Sequence, residues 1–233
     1  MEYTIKPIAY MRSDFKTKFG IPRQAGIVDA VESSIVFEPE YRSREALRGI
    51  KDYSHLWLIW RFSAAEREGW SPTVRPPRLG GNVRMGVFAT RSPFRPNSLG
   101  LSCVRLVAVE EERENGLVLR VAGADLMDGT PIIDIKPYLP YSDSRPDARS
   151  GFAPDPGRTL EVEFSVDARA AVPEEKLAGL TGILANDPRP RYQRDGQRVY
   201  ALEFADMEIR FSVDGGVVKV LSANRILKQE EEK

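Results

Sequence analysis

Residues 55–62 read HLWLIWRF. Six of these eight positions are Leu, Ile, Trp or Phe, with no Gly or Pro to interrupt them. A short, nearly continuous apolar run predicts a strand buried on both faces. Thr4 to Met11 and Ser34 to Phe37 read as earlier strands, and Leu99 to Val109, Leu117 to Val121 and Ile132 to Tyr138 as later ones. Glu110 to Gly116 is a charged turn ending in Asn-Gly. Ser43 to Ile50 (SREALRGI) predicts a short helix capped by Ser43. Many short strands punctuated by Pro and Gly predict a mainly β fold, a barrel or sandwich and not a doubly wound sheet.

Further along, Pro recurs at 137, 140, 146, 154 and 156, which predicts a linker. Beyond it, Leu160 to Val166 alternates strictly between apolar and polar, as a half-buried strand does. Val172-Pro173-Glu174-Glu175 opens a helix with Pro in the first turn and two acids at the positive dipole end. Gly179 and Gly182 sit inside that helix, where glycine is a poor former. Met207 to Val213, Asp214-Gly215-Gly216 and Val217 to Leu221 read as a hairpin. The expected organisation is a β-barrel-like unit over 1–156, then a small α+β unit over 157–233 with a frayed tail from Lys228.

The chain has 233 residues, 42% of them hydrophobic, which is ample for a substantial core. Its 34 Lys plus Arg balance 34 Asp plus Glu, so nucleic-acid affinity must come from a patch. One cysteine excludes an internal disulfide and a Cys-rich zinc site. That residue, Cys103, lies in an apolar run and reads as a buried, inert thiol. The only histidine, His55, reads as a core residue, which removes His-based triads and metal sites. No apolar run approaches the ~20 residues of a membrane span and the N-terminus is not a signal peptide, so the cytoplasm is the expected compartment.

The charge balance is locally broken. Gly69 to Val109 holds no Asp or Glu but carries Arg75, Arg78, Arg84, Arg91, Arg95 and Arg105. Guanidinium forks on Pro/Gly-shaped loops suit planar anions. Within that window, Arg91-Ser92-Pro93-Phe94-Arg95-Pro96-Asn97 is the densest polar motif. Pro22-Arg23-Gln24 is a second small loop of this kind. Asp187-Pro188-Arg189-Pro190-Arg191-Tyr192-Gln193-Arg194 reads either as a phosphate-gripping loop with a stacking aromatic or as a surface turn. Asp125, Asp128 and Asp134 lie within ten residues, which admits a divalent-cation reading, although the spacing matches no ligand pattern. Asp134, beside Lys136 and Tyr138, is better suited to proton handling and substrate orientation. No GxGxxG or Walker A sequence is present, so neither a dinucleotide site nor a P-loop is implied. An RNA-binding module and a metal-dependent hydrolase remain as rival readings.

Taken in order, PRQ (22–24), SHLW (54–57), GWSPTVRPPRLGGNVRMGVFATRSPFRPNSLG (69–100), DLMDGTPIIDIKPYLPY (125–141) and DPRPRY (187–192) resemble the TrmO (YaeB) family of tRNA methyltransferases. The resemblance spans essentially the whole chain. It implies a β-barrel methyltransferase domain with a small C-terminal domain, acting as a homodimer. It implies methyl transfer from S-adenosylmethionine to the exocyclic nitrogen of N6-threonylcarbamoyladenosine, just 3′ of the anticodon in threonine tRNA. The cofactor is implied against Pro22, Arg23, Gln24, the end of the His55–Phe62 strand, Ser63, Ala64, Arg91, Leu101, Ala124, Asp125, Leu126 and Met127. Arg91 suits its carboxylate. For the chemistry, Asp134 is expected to accept or orient a proton, with Lys136, Tyr138 and Asn97 positioning the modified base. Arg75, Arg78, Arg84, Arg95, Arg189, Arg191 and Arg194 are expected on RNA phosphates. No metal is required.

Overall fold

The structure, a computed structural model, describes residues 3–65, 69–155, 157–189 and 195–226. The chain forms β1 (Ala9–Arg12), β2 (Glu32–Phe37) and β3 (His55–Arg61), then a two-stranded ladder of β4 (Thr73–Val74) and β5 (Met85–Gly86). It continues through β6 (Leu99–Glu112), β7 (Gly116–Ala122) and β8 (Pro131–Pro137). Six of these strands close into a barrel in the order β1-β2-β7-β6-β3-β8, with β8 returning to β1 through Ala9↔Ile132. Every pairing in the ring is antiparallel. The mainly β expectation therefore holds.

β3 departs from its sequence reading. Leu56, Leu58 and Trp60 are buried inside the barrel, whereas His55, Trp57 and Ile59 are only half-buried on its outer face. A barrel has one interior, so strict alternation returns. Trp57 is covered on that face by the Pro-rich segment. Trp57 Nε1 donates to Asp143 Oδ2 at 2.9 Å, and its ring lies 5.8 Å from that of Tyr138.

The predicted helix over 43–50 is instead a series of tight turns with Leu47→Arg44 and Ile50→Leu47 backbone bonds. Gly49, at φ +83°, leads from them into a 3-10 turn over Ile50–Asp52. Eight residues with no side-chain cap give too little propagation to offset helix nucleation.

After the short helix α1 (Pro140–Asp143), the second unit comprises β9 (Glu161–Phe164), α2 (Val166–Ala171), α3 (Glu174–Ala185), β10 (Tyr200–Phe204), β11 (Met207–Asp214) and β12 (Val217–Arg225). Its sheet runs β10-β11-β12-β9, with β9 parallel to β12. The sequence reading missed α2, which Ser165 caps by accepting from the Ala168 amide, and the alternating strand β10. Gly215 and Gly216 both have positive φ, as the tight β11–β12 turn requires.

There are two apolar cores. One fills the barrel, around Leu56, Leu58, Ile35, Leu119 and Ile132. The other lies in the C-terminal unit, around Leu180, Leu184, Ile209 and Phe211, and it also takes in Phe15, Val28 and Val31. The segment between β1 and β2 thus belongs to the barrel by sequence and to the second core by packing.

Candidate active site

The ends of β3 and the start of β6 meet at the rim of the barrel. Three loops converge there, around Pro22–Gln24, Thr90–Arg95 and Asp125–Thr130. Together they enclose a cavity of about 510 Å³, within the range typical of small-molecule sites.

Period-two alternation builds its floor. β3 and β6 pair Leu58 with Ser102 and Trp60 with Gly100, all on the inner face. Gly100 has no side chain because Trp60 takes the space: a Cβ there would lie 2.3 Å from the indole Cε2. Trp60 Nε1 donates to Ser102 Oγ at 2.9 Å, and Ser102 Oγ donates to Asp125 Oδ1 at 2.5 Å. Ser102 itself is 2% exposed. This chain of hydrogen bonds runs from the barrel interior to the cavity wall and fixes the rotamer of Asp125. Burial pushes the Asp125 carboxyl above the ordinary aspartate range, while the Ser102 hydrogen bond and the charge of Arg91 oppose that shift.

The charged groups of the cavity wall are mostly cationic. Among the described residues, Lys18, Arg23, Arg61, Arg91 and Arg95 line it against a single carboxylate, Asp125. Arg91 donates to Gln24 Oε1. Arg95 Nη1 donates to the carbonyls of Thr90 (3.0 Å) and Ser92 (3.4 Å), so it braces its own loop. Lys18 donates to the Ala64 carbonyl. Trp60 and Phe62, with ring centroids 4.2 Å apart, supply an aromatic wall. A guanidinium fork, a carboxylate and an aromatic surface in one cavity suit a ligand with a carboxylate, a cationic group and a flat ring.

Nine residues expected at the cofactor line this one cavity: Pro22, Arg23, Gln24, Ser63, Ala64, Arg91, Leu101, Asp125 and Met127. Ala124 and Leu126 do not. Each is 1% exposed and packs in the barrel core, because alternate side chains of this segment point inward.

The four residues expected at the chemistry are not in the cavity lining. Asp134 and Lys136 lie on the barrel's outer face and pair with each other at 2.9 Å (Oδ2 to Nζ). The register carries an outward row from Leu101 to Ile59 to Asp134 across β6, β3 and β8. Asp134 therefore stands two strands, roughly 10 Å, from a cavity-lining residue. Tyr138 packs against His55 and Trp57, and Asn97 is exposed beside the cavity loop.

The expected RNA-contacting arginines divide. Arg75 and Arg84 are exposed on the arm of β4 and β5. Arg78 is tied to Asp155 through its carbonyl and its carboxylate. Arg189 is held by Asp187 through two bonds, at 2.8 and 3.0 Å, which raises the guanidinium's affinity for its proton. Arg191 and Arg194 lie outside the described residues. The three clustered acids do not converge. Asp125 is bound by Ser102, Asp128 by the Ser13 amide and Lys16, and Asp134 by Lys136. Burial pushes the Cys103 thiol up, as suits an unreactive cysteine.

Sequence reasoning missed Lys18, Gly100 and Ser102, and reached Trp60 only as part of the end of the His55–Phe62 strand. A polar residue at an inward strand position was the available signal for Ser102. Nothing local marked Lys18.

Two family descriptions match the chain: the tRNA-methyltransferase O N-terminal domain over residues 10–144 and the TrmO C-terminal domain over 157–226. A relative from Escherichia coli K12 called tRNA (adenine(37)-N6)-methyltransferase is 40% identical over 220 residues, covering 91% of this chain and 93% of that protein. A Pseudomonas aeruginosa relative called a putative S-adenosylmethionine-dependent methyltransferase, RcsF, is 42% identical over 219 residues, covering 91% and 93%. A solved structure of TrmO from Pseudomonas aeruginosa superposes with a TM-score of 0.80 at 35% identity, covering 97% of this chain and 98% of that one.

Proposed function

The chain belongs to the TrmO family of tRNA methyltransferases, and on that premise we propose that it transfers a methyl group from S-adenosylmethionine to N6 of adenine 37 in tRNA. The observation that carries the reading is the single cavity that gathers Arg91, Asp125, Gln24, Leu101 and the Trp60–Phe62 wall. Those groups fit the donor. Arg91 matches a carboxylate, Asp125 a cationic ammonium or sulfonium, and the aromatic wall a purine. S-adenosylmethionine supplies an electrophilic methyl on sulfur, and the transfer needs no metal.

The acceptor is N6-threonylcarbamoyladenosine of threonine tRNA. Its N6 lone pair is delocalised into the purine and the carbamoyl group, so the nitrogen is a poor nucleophile until its proton is removed. Asp134 receives that proton, with Lys136 holding the carboxylate oriented at 2.9 Å. The row Leu101–Ile59–Asp134 supports this role, since a base lying across Ile59 has the cavity on one side and Asp134 on the other. Tyr138 and Asn97 position the base, and Arg75, Arg84 and neighbouring arginines hold anticodon-loop phosphates. The enzyme's part is alignment and exclusion of water. It works as a homodimer in the cytoplasm. Calorimetry with S-adenosylmethionine tests the reading: saturable binding by wild type that Arg91→Ala weakens supports it, and no binding refutes it.

A further inference from the structure

The loop that carries Pro22, Arg23 and Gln24 into the cavity is tied to the barrel by polar bonds: the Ser13 amide and Lys16 bond Asp128, the Phe15 carbonyl accepts from the Asp128 amide, Lys18 donates to the Ala64 carbonyl and Gln24 accepts from Arg91. The Gly26 amide bonds the Gly123 carbonyl at 2.8 Å, and the Gly123 amide bonds the Val31 carbonyl at 2.9 Å. Most of its apolar side chains face the C-terminal unit. Phe15, Val28 and Val31 are buried in the C-terminal core, and Phe19, Ile21 and Ile27 pack against that core. Lys176 of α3 pairs with Asp14 at 2.5 Å, and the Ala205 amide bonds the Asp14 carbonyl. At the tip, Arg23 Nη2 donates to the carbonyls of Asp187 and Arg189, each at 3.2 Å, just past the end of α3.

The two glycines that weaken α3 as a helix explain how it docks there. A Cβ on Gly182 would lie 2.5 Å from Val28 Cγ1, and one on Gly179 would lie 3.2 Å from Val31 Cγ2. Val28 is β-branched and 5% exposed, so it has little freedom to turn away. Helix propensity alone favours Ala at both positions. The close approach of helix and loop is what requires Gly.

We propose that the glycine face of α3 positions the 13–31 loop, so that the C-terminal unit is an integral part of the cofactor site and sets the affinity for S-adenosylmethionine without touching it. The proposal rests on the donor occupying the cavity, as argued above. Gly182 and Gly179 are then positioning residues, acting through Val28, Val31 and the loop tip.

The test is calorimetry with S-adenosylmethionine on four full-length proteins, at a temperature where each is folded by circular dichroism. Gly182→Ala should bind about tenfold more weakly than wild type, because the displaced Val28 carries the loop with it. Adding Val28→Ala removes the offending methyl and should recover affinity to within about threefold of wild type. Gly179→Ala, a milder contact, should fall between wild type and Gly182→Ala, and it decides the matter if Gly182→Ala does not fold. Wild-type affinity in the folded Gly variants, whatever their melting temperatures, overturns the proposal. Failure of wild type itself to bind the donor overturns the functional reading instead.

Discussion

Ser102→Ala removes one oxygen that serves two partners. Trp60 loses the acceptor for its indole N–H, and Asp125 loses the donor to Oδ1. A hydrogen bond to a charged group contributes about 1.5–3 kcal/mol, and orphaning a neutral buried donor costs about 1–3 kcal/mol. The two effects share one site and do not simply add, so the expected loss is about 2–4 kcal/mol. For a chain of this length each kcal/mol lowers the melting temperature by about 2–4 °C. The loss also depends on pH, and its sign is fixed. The folded protein holds the Asp125 proton more tightly than the unfolded chain, because burial raises that carboxyl above its ordinary 3.8. Ionised Asp125 therefore opposes folding as pH rises above that value. Ser102 opposes this shift, so its removal raises the carboxyl further and deepens the penalty at neutral pH. Urea unfolding at about pH 4 and about pH 7 reads the difference. The loss should be larger at pH 7, since the Trp60 share is independent of pH. A loss below about 0.5 kcal/mol at both, or an equal loss at both, refutes the hydrogen-bond chain as the organiser of the cavity wall.

Other outcomes follow from the same geometry. Gly100→Ala should destabilise the barrel by about 1–3 kcal/mol in thermal unfolding, because its Cβ meets the Trp60 ring. Arg91→Ala should weaken S-adenosylmethionine binding by about 1.5–3 kcal/mol in calorimetry, the range for a hydrogen bond to a charged group, while Arg91→Lys recovers only part because it lacks the fork. Arg75→Ala and Arg84→Ala should each lower the slope of log affinity for tRNA against log salt by about one, with little effect on donor binding. A slope unchanged in the double variant would remove both from the RNA surface.

Much of the barrel was legible because short apolar runs and Pro/Gly turns are local signals. The outer face of β3 was not, since Trp57 looks like a core residue until the segment carrying Tyr138 and Asp143 is laid over it. The Ser43–Ile50 helix misled because its composition is helical while its length is too short to nucleate. The cavity was legible at Arg91, where residue type carries chemistry, and at Gln24 and Asp125 only through the family resemblance. Trp60, Gly100 and Ser102 became functional only through strand register, which no local pattern specifies. The packing of 13–31 onto the C-terminal core was equally hidden. It depends on contacts such as Val28 with Gly182, about 150 residues apart, that only the fold brings together.

The proposed function has methyl transfer to N6 of a modified adenine, with the donor in the barrel-rim cavity and Asp134 taking the proton. The most direct measurement is transfer of tritiated methyl from S-adenosylmethionine to threonine tRNA with and without the threonylcarbamoyl group, by wild type and Asp134→Ala. Label is expected only on the threonylcarbamoylated tRNA, with a rate about 10²–10⁴-fold lower for Asp134→Ala and donor affinity unchanged. Equal labelling of both tRNAs contradicts the acceptor, and a wild-type rate in Asp134→Ala contradicts the chemistry assigned to that carboxylate.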